Sequence, residues 1–197
     1  MGDIRIIAGI HGSRRIKAPD SVARPTTDRV RESLFSSIVS LRDGLDGARV
    51  LDAYAGSGAL GLEAMSRGAA FACFVEQDFK AIKIVQGNAE SLGYGASDVC
   101  TVQANSLNAV NLESKLSGLG LFDVVFLDPP YAYNAHDVLE PIVTLVNRGI
   151  IAKDALITYE HDASVNLEAI LQMLNFPLAS IKRKKFGKIA VDILEYV

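Results

Sequence analysis

The run Val50-Leu51-Asp52-Ala53-Tyr54-Ala55-Gly56-Ser57-Gly58-Ala59-Leu60-Gly61 constrains this chain more than any other stretch. An apolar strand pattern (49–54) leads into a glycine-rich turn and then into a helical pattern around 59–67, closed by Gly68. Gly56, Gly58 and Gly61 match the G-x-G-x-x-G spacing in the strand–turn–helix context that gives the motif its meaning. The early glycines let backbone approach a ligand closely, and the last lets the helix pack against the strand.

The same alternation continues. Phe71–Glu76 reads as a second strand. Phe79, Ile82, Val85, Ala89 and Leu92 form a helical stripe that Gly93 ends, and 98–103 is a third strand. Leu121–Leu127 is almost wholly apolar, as a parallel strand buried on both faces should be. A helix (about 135–147), a strand (154–160), a helix (164–174) and two strands (176–185 and 188–196) joined at Phe186-Gly187 complete the chain. Upstream, two short strands in 4–17 joined through His11-Gly12-Ser13 read as a hairpin. A turn-rich stretch from Pro19 to Pro25 follows. From Thr26 a helix is expected, with a stripe of Val30, Leu34, Ile38 and Leu41 and with Asp28 in its first turn. The expectation is an α/β chain with a doubly wound, mostly parallel sheet and an antiparallel strand at one edge. Residues 1–25 read as a hairpin extension with its linker, and 26–197 as the main domain.

A chain of 197 residues, 49% hydrophobic and 22% charged, suits one globular α/β domain. Cys73 and Cys100 lie in apolar runs and read as buried free thiols of a protein from a reducing compartment. The three histidines are scattered, with no zinc-like spacing, so no metal is expected. No leader-like or membrane-spanning stretch is evident, and a cytoplasmic location is expected. The net charge of −3 advertises no polyanion partner as a whole. Locally, Arg5, Arg14, Arg15, Lys17, Arg24, Arg29 and Arg31 face only three acids in residues 1–31, and Lys182, Arg183, Lys184, Lys185 and Lys188 form a second cluster. Either patch can contact nucleic acid or be a solvated face.

Glu76 ends the second strand, 18 positions after Gly58, where its carboxylate can accept hydrogen bonds from ribose hydroxyls. A nucleoside-containing cofactor follows. Asp52, just before the loop, would repel a pyrophosphate but suits the cationic amino-acid end of S-adenosylmethionine; helix capping is the alternative. Asn105, after the third strand, is placed either to bond the cofactor's adenine or to make an ordinary turn. Asp128-Pro129-Pro130-Tyr131 directly follows the strand ending at Leu127. Two prolines stiffen this corner. The Asp128 carboxylate and Pro129 carbonyl can accept the two hydrogens of an exocyclic base amine, and Tyr131 offers a face for a stacked base. Tyr133 and His136 either line that base pocket or face solvent.

These stretches resemble the bacterial 16S ribosomal RNA guanine-N2 methyltransferases along the whole chain. The resemblance is carried by Arg5-Ile6-Ile7-Ala8-Gly9, by the stretch from Arg24 to Glu32, by the glycine loop through Glu63, by Phe74-Val75-Glu76 and by Phe126 to Tyr131. It implies a class I methyltransferase fold with seven strands and a small N-terminal β-hairpin. It implies S-adenosylmethionine as cofactor and transfer of methyl to N2 of one guanosine in small-subunit RNA. A partly assembled small subunit is the expected partner, and nothing in the sequence calls for more than a monomer. It also places Arg24, Thr26, Thr27 and Arg29 near the active site. The candidate catalytic set is Asp128, Pro129, Pro130 and Tyr131. The cofactor set is Asp52, Ala55, Gly56, Ser57, Gly58, Leu60, Glu76, Gln77, Asn105, Ser106 and Thr27. The RNA-binding set is Arg5, Arg14, Arg15, Arg24 and Arg29. An adenine-N6 DNA methyltransferase and a non-catalytic RNA-binding assembly factor are the alternatives. A nicotinamide dehydrogenase, also compatible with the glycine loop, lacks an evident hydride-transfer site.

Overall fold

The structure is a computed structural model that describes residues 2–19 and 27–197. Its chain forms two compact units, Met1–Gln103 and Ala104–Val197.

In the first unit, β1 (Asp3–Arg5) and β2 (Arg15–Lys17) pair antiparallel as the expected hairpin, with strands of only three residues each. Helix α1 (Asp28–Arg42) is capped by Thr27, whose side chain accepts from the Val30 amide, and Asp28 occupies the first turn. Its buried face is Val30, Leu34, Phe35 and Ile38; Leu41, expected in the stripe, is exposed because the helix end turns its last face to solvent. Strand β3 (Arg49–Asp52), helix α2 (Ala59–Ser66), strand β4 (Phe71–Glu76), helix α3 (Phe79–Ser91) and strand β5 (Val99–Gln103) follow. The strands lie in the order β5-β4-β3, all parallel. Cys73 faces Cys100 across β4 and β5; Cys73 is fully buried but Cys100 is only half-buried, correcting one of the two expected thiols. Phe79, expected in the α3 stripe, is exposed and sits beside Lys83.

The hairpin docks onto α2 and α3 through buried polar side chains. The Glu63 carboxylate, fully buried, accepts from the Ile7 amide (2.6 Å), the Ala8 amide (3.1 Å) and Arg67 Nε (2.7 Å). Ser66 Oγ donates to the Ala8 carbonyl and accepts from the His11 amide. Asn88 on α3 bonds both backbone groups of Lys17 and also donates to the Ser57 carbonyl, each at 2.8 Å. One amide thus holds the hairpin and the glycine loop together.

In the second unit, helix α4 (Ala109–Leu116), strand β6 (Phe122–Leu127), helix α5 (Ala135–Asn147), strand β7 (Ile151–Asp162), helix α6 (Leu167–Met173), strand β8 (Leu178–Phe186) and strand β9 (Ile189–Tyr196) follow one another. Strand order is β6-β7-β9-β8, with β6 and β7 parallel and β9 antiparallel to both its neighbours, which leaves β8 outermost. Helix α4 has no counterpart in the sequence reading, because only Leu112 and Leu116 of it are buried, too narrow a stripe to stand out. Strand β7 is longer than expected and α6 shorter.

A polar knot lies inside β7, β8 and β9. His161 Nε2 is 2.7 Å from Asp192 Oδ2, Ser180 Oγ donates to Asp192 Oδ1 at 2.6 Å, and Arg183 stands 3.6 Å away. His161 Nδ1 lies 2.8 Å from the Asp162 carbonyl. Burial by itself would push the Asp192 pKa up, but the hydrogen bonds from His161 and Ser180 and the charges of Arg183 and His161 outweigh it and hold it below the ordinary value. A depressed folded-state pKa contributes stability that is present above the unfolded value of about 3.9 and is lost as pH falls through the folded one. Denaturant titrations across pH should therefore show stability falling below about pH 4, with Asp192→Asn flattening that acid limb. An unchanged limb in the variant would remove Asp192 from the account.

Candidate active site

The glycine loop takes the form its spacing implies. Gly56 and Gly58 have φ of 53° and 81°, backbone that L side chains rarely adopt, and Gly58 caps the N-terminus of α2. A Cβ at Gly61 would stand 2.3 Å from Phe74 Cε1, so the helix meets β4 too closely for any side chain there. The loop is closed by bonds from Ala55 N–H to the Val75 carbonyl and from Gly58 N–H to the Ala55 carbonyl. Ala55, Ser57 and Leu60 are buried beneath it.

Glu76 sits at the end of β4 and organises the loop. One carboxylate oxygen accepts the Gly56 amide (3.0 Å), and the other accepts the amides of Gln77 (2.8 Å) and Asp78 (3.0 Å). A carboxylate has about four lone-pair directions, so three amides leave capacity for a ribose hydroxyl. Asp52 is buried (1% exposed), and its Oδ2 accepts the Gly61 amide at 3.0 Å. In this structure it secures the first turn of α2, the capping alternative. Gln77 is exposed and its carbonyl accepts from Gln103. Thr27 is the cap of α1.

In the second unit, Asn105 uses its side-chain oxygen to accept the Leu107 amide, an ordinary turn, and Ser106 is buried next to it. Leu127, buried and last in β6, leads into Asp128, Pro129, Pro130 and Tyr131. The corner is tightened by the Tyr133 amide donating to the Pro130 carbonyl. Tyr131 is 54% exposed, yet its hydroxyl is tethered to Glu160 Oε1 at 2.9 Å. An exposed aromatic ring held at one end by a 7% exposed carboxylate is a fixed platform rather than a loose loop side chain. Asn134 caps α5, and His136 stacks on Phe176 (5.7 Å, 22°), so His136 is engaged away from the corner.

Of the basic residues, Arg5 pairs with Asp28 (2.9 Å) and Arg14 donates to the Ser91 carbonyl; Arg15 and Arg29 are exposed, and Arg24 and Thr26 fall outside the described residues. Arg31 is 1% exposed and bonds Asp28 and the Arg5 carbonyl. Sequence reasoning missed Glu160, Glu63 and Asn88. For Glu63 a signal existed: it is the one charged residue in the apolar helix Ala59–Ser66, four places before Arg67. Among the described residues no cluster of His, Cys, Asp or Glu is placed to hold a metal, and no helix is long and apolar enough to cross a membrane.

Parallel strands alternating with helices, with a glycine loop after β3 in the first unit and a proline-stiffened acidic corner after β6 in the second, belong to the fold of the class I methyltransferases, whose methyl donor is S-adenosylmethionine. The left-handed glycines and the partly committed Glu76 carboxylate fit an adenosine-containing ligand of that kind.

Within that class the chain belongs to the family described as Conserved hypothetical protein 95, whose model matches residues 4–195. It is 38% identical over 172 residues to a protein of Escherichia coli (strain K12) named Ribosomal RNA small subunit methyltransferase D, covering 86% of this chain and 80% of that one. The solved chain yhhF of Escherichia coli is 32% identical, with a TM-score of 0.77 over 99% of this chain and 98% of its own. At 17% identity a Thermus thermophilus 16S rRNA N2 G1207 methyltransferase, solved with AdoMet and guanosine, shares the fold, with a TM-score of 0.70 over 100% of this chain and 50% of that chain.

Proposed function

We propose that this methyltransferase acts on small-subunit ribosomal RNA and transfers methyl to the exocyclic N2 amine of a guanosine. The observation that carries the chemistry is the corner at the end of β6: Asp128, stiffened by two prolines, beside the tethered platform of Tyr131. The Escherichia coli relative, by its name, supports ribosomal RNA as the substrate.

S-adenosylmethionine supplies a methyl group already activated on a sulfonium. The protein's task is therefore on the nucleophile. A base amine is a poor nucleophile because its lone pair is delocalised into the ring. The Asp128 carboxylate and the Pro129 carbonyl accept its two hydrogens and favour a tetrahedral nitrogen as positive charge develops there. Pro129 and Pro130 hold those acceptors still, so little reorganisation is required as the reaction proceeds. The Tyr131 ring stacks the extruded base, worth about 1–3 kcal/mol. Ala55, Gly56, Ser57, Gly58, Leu60, Glu76 and Gln77, with Ser106, serve the cofactor, while Asp52, Thr27 and Asn105 act by holding the cap or turn of their own segments. The exposed Arg15 and Arg29, with Arg5, Arg14 and Arg24, contact RNA phosphates in a partly assembled cytoplasmic subunit.

Purified protein with labelled S-adenosylmethionine is expected to methylate small-subunit RNA, or partly assembled subunits, from cells lacking this mark. Nucleoside mass spectrometry should find N2-methylguanosine. A preparation that binds the cofactor yet labels neither substrate would reject the proposal; N6-methyladenosine as product would replace it with the adenine reading.

A further inference from the structure

Strands β6 and β7 run parallel with Leu127 opposite Tyr159. Asp128 directly follows β6, and Glu160, next after Tyr159, lies two residues before the end of β7, so the register puts two acidic residues at the same level. Glu160 is 7% exposed and reaches the Tyr131 hydroxyl at 2.9 Å. A carboxylate can accept more than one donor, so besides the Tyr131 hydroxyl it can take an N–H of a substrate that presents hydrogen-bond donors.

Guanine presents them. Its Watson–Crick edge carries N1–H next to the N2 amine, three donor hydrogens in a row. Adenine carries an acceptor at N1 beside its N6 amine. The guanine amine is flanked by N1–H on one side and by the N3 lone pair on the other, and an accepting carboxylate next to the amine selects the N1–H side. We propose that Glu160 reads that position: it accepts N1–H of guanine and repels the N1 lone pair of adenine. Its bond to Tyr131 fixes the stacking ring and the reading carboxylate as one unit, and a carboxylate accepts several donors at once. Glu160 is thus a specificity-determining residue, and this rests on the reading that the base amine is held at Asp128.

The test uses small-subunit RNA carrying either guanosine or 2-aminopurine riboside at the nucleotide that mass spectrometry finds modified. 2-Aminopurine keeps the 2-amine but has a lone pair at N1. The unmutated enzyme is expected to favour guanosine in kcat/KM by about ten- to hundredfold, the effect of one unmatched buried polar group. Glu160→Gln, whose amide can both accept from Tyr131 and donate to N1, should bring the two substrates to near parity or reverse them. Tyr131→Phe should lower both rates in proportion. Equal use of the two substrates by the unmutated enzyme overturns the inference without any variant. So does a Glu160→Gln enzyme, with unchanged melting temperature and cofactor affinity, that loses both activities equally. Absence of any guanosine methylation instead fails the underlying functional reading, and the inference falls with it.

Discussion

Replacing Asp128 with alanine is expected to reduce turnover by about 10²–10³-fold while leaving the affinity for S-adenosylmethionine within twofold or so, the loss typical of one preorganised acceptor or donor at a reacting centre. The residue follows Leu127 at the end of a buried strand, and the proline pair after it stiffens the corner. The interaction it makes with the amine strengthens only as the nitrogen gains positive charge, so the loss should fall on kcat rather than on KM. Asp128→Asn should fall between the two, since an amide oxygen still accepts one hydrogen while its charge is gone. Single-turnover methylation with saturating RNA, alongside calorimetric cofactor titration, separates these effects. An Asp128→Ala enzyme turning over within a few-fold of the unmutated one would mean that the amine is held elsewhere.

The largest effect on stability is expected at Glu63, far from the amine chemistry. Its carboxylate is fully buried and answers two amides of the hairpin and the Arg67 side chain. Alanine there strands all three donors at once and leaves the largely covered guanidinium of Arg67, which stacks over Phe35, without its anion. Breaking one side of a buried pair typically costs about 3–5 kcal/mol, which for a chain of this size lowers the melting temperature by on the order of 10 °C. Glu63→Gln, which keeps one acceptor, should cost less. The hairpin should detach first, so hydrogen exchange at Ile7 and Ala8 should rise more than at β4. A loss below about 1 kcal/mol, the size of an exposed ion pair, would show that the docking of the hairpin does not depend on this carboxylate.

Period and punctuation alone reveal most of the elements. The strand–glycine–helix run, β4, β6 and α5 lie within a few residues of their expected limits, because each combines a clear hydrophobic period with a glycine, proline or capping residue at its end. Where that combination is weak, the sequence is silent. Helix α4 buries two side chains and is carried by the Asn108 cap. Leu41 and Phe79 continue an apolar period at a helix end and beginning, yet both face solvent, since the period alone does not say where the neighbouring surface stops.

The sequence by itself determined the chemistry available at the site: a glycine loop that only unbranched backbone can form, an acid at the end of the next strand, and an acidic corner locked by prolines. These are local facts, set by φ restrictions and by residues adjacent in the chain. The tertiary structure decided which groups answer one another. Tyr131 meets Glu160 across 29 residues, Glu63 meets Ile7 across 56, Asn88 meets Lys17 across 71, and His161 meets Asp192 across 31. No local pattern marks such pairs, because buried polar groups find their partners only when packing removes water and leaves each donor one acceptor within reach.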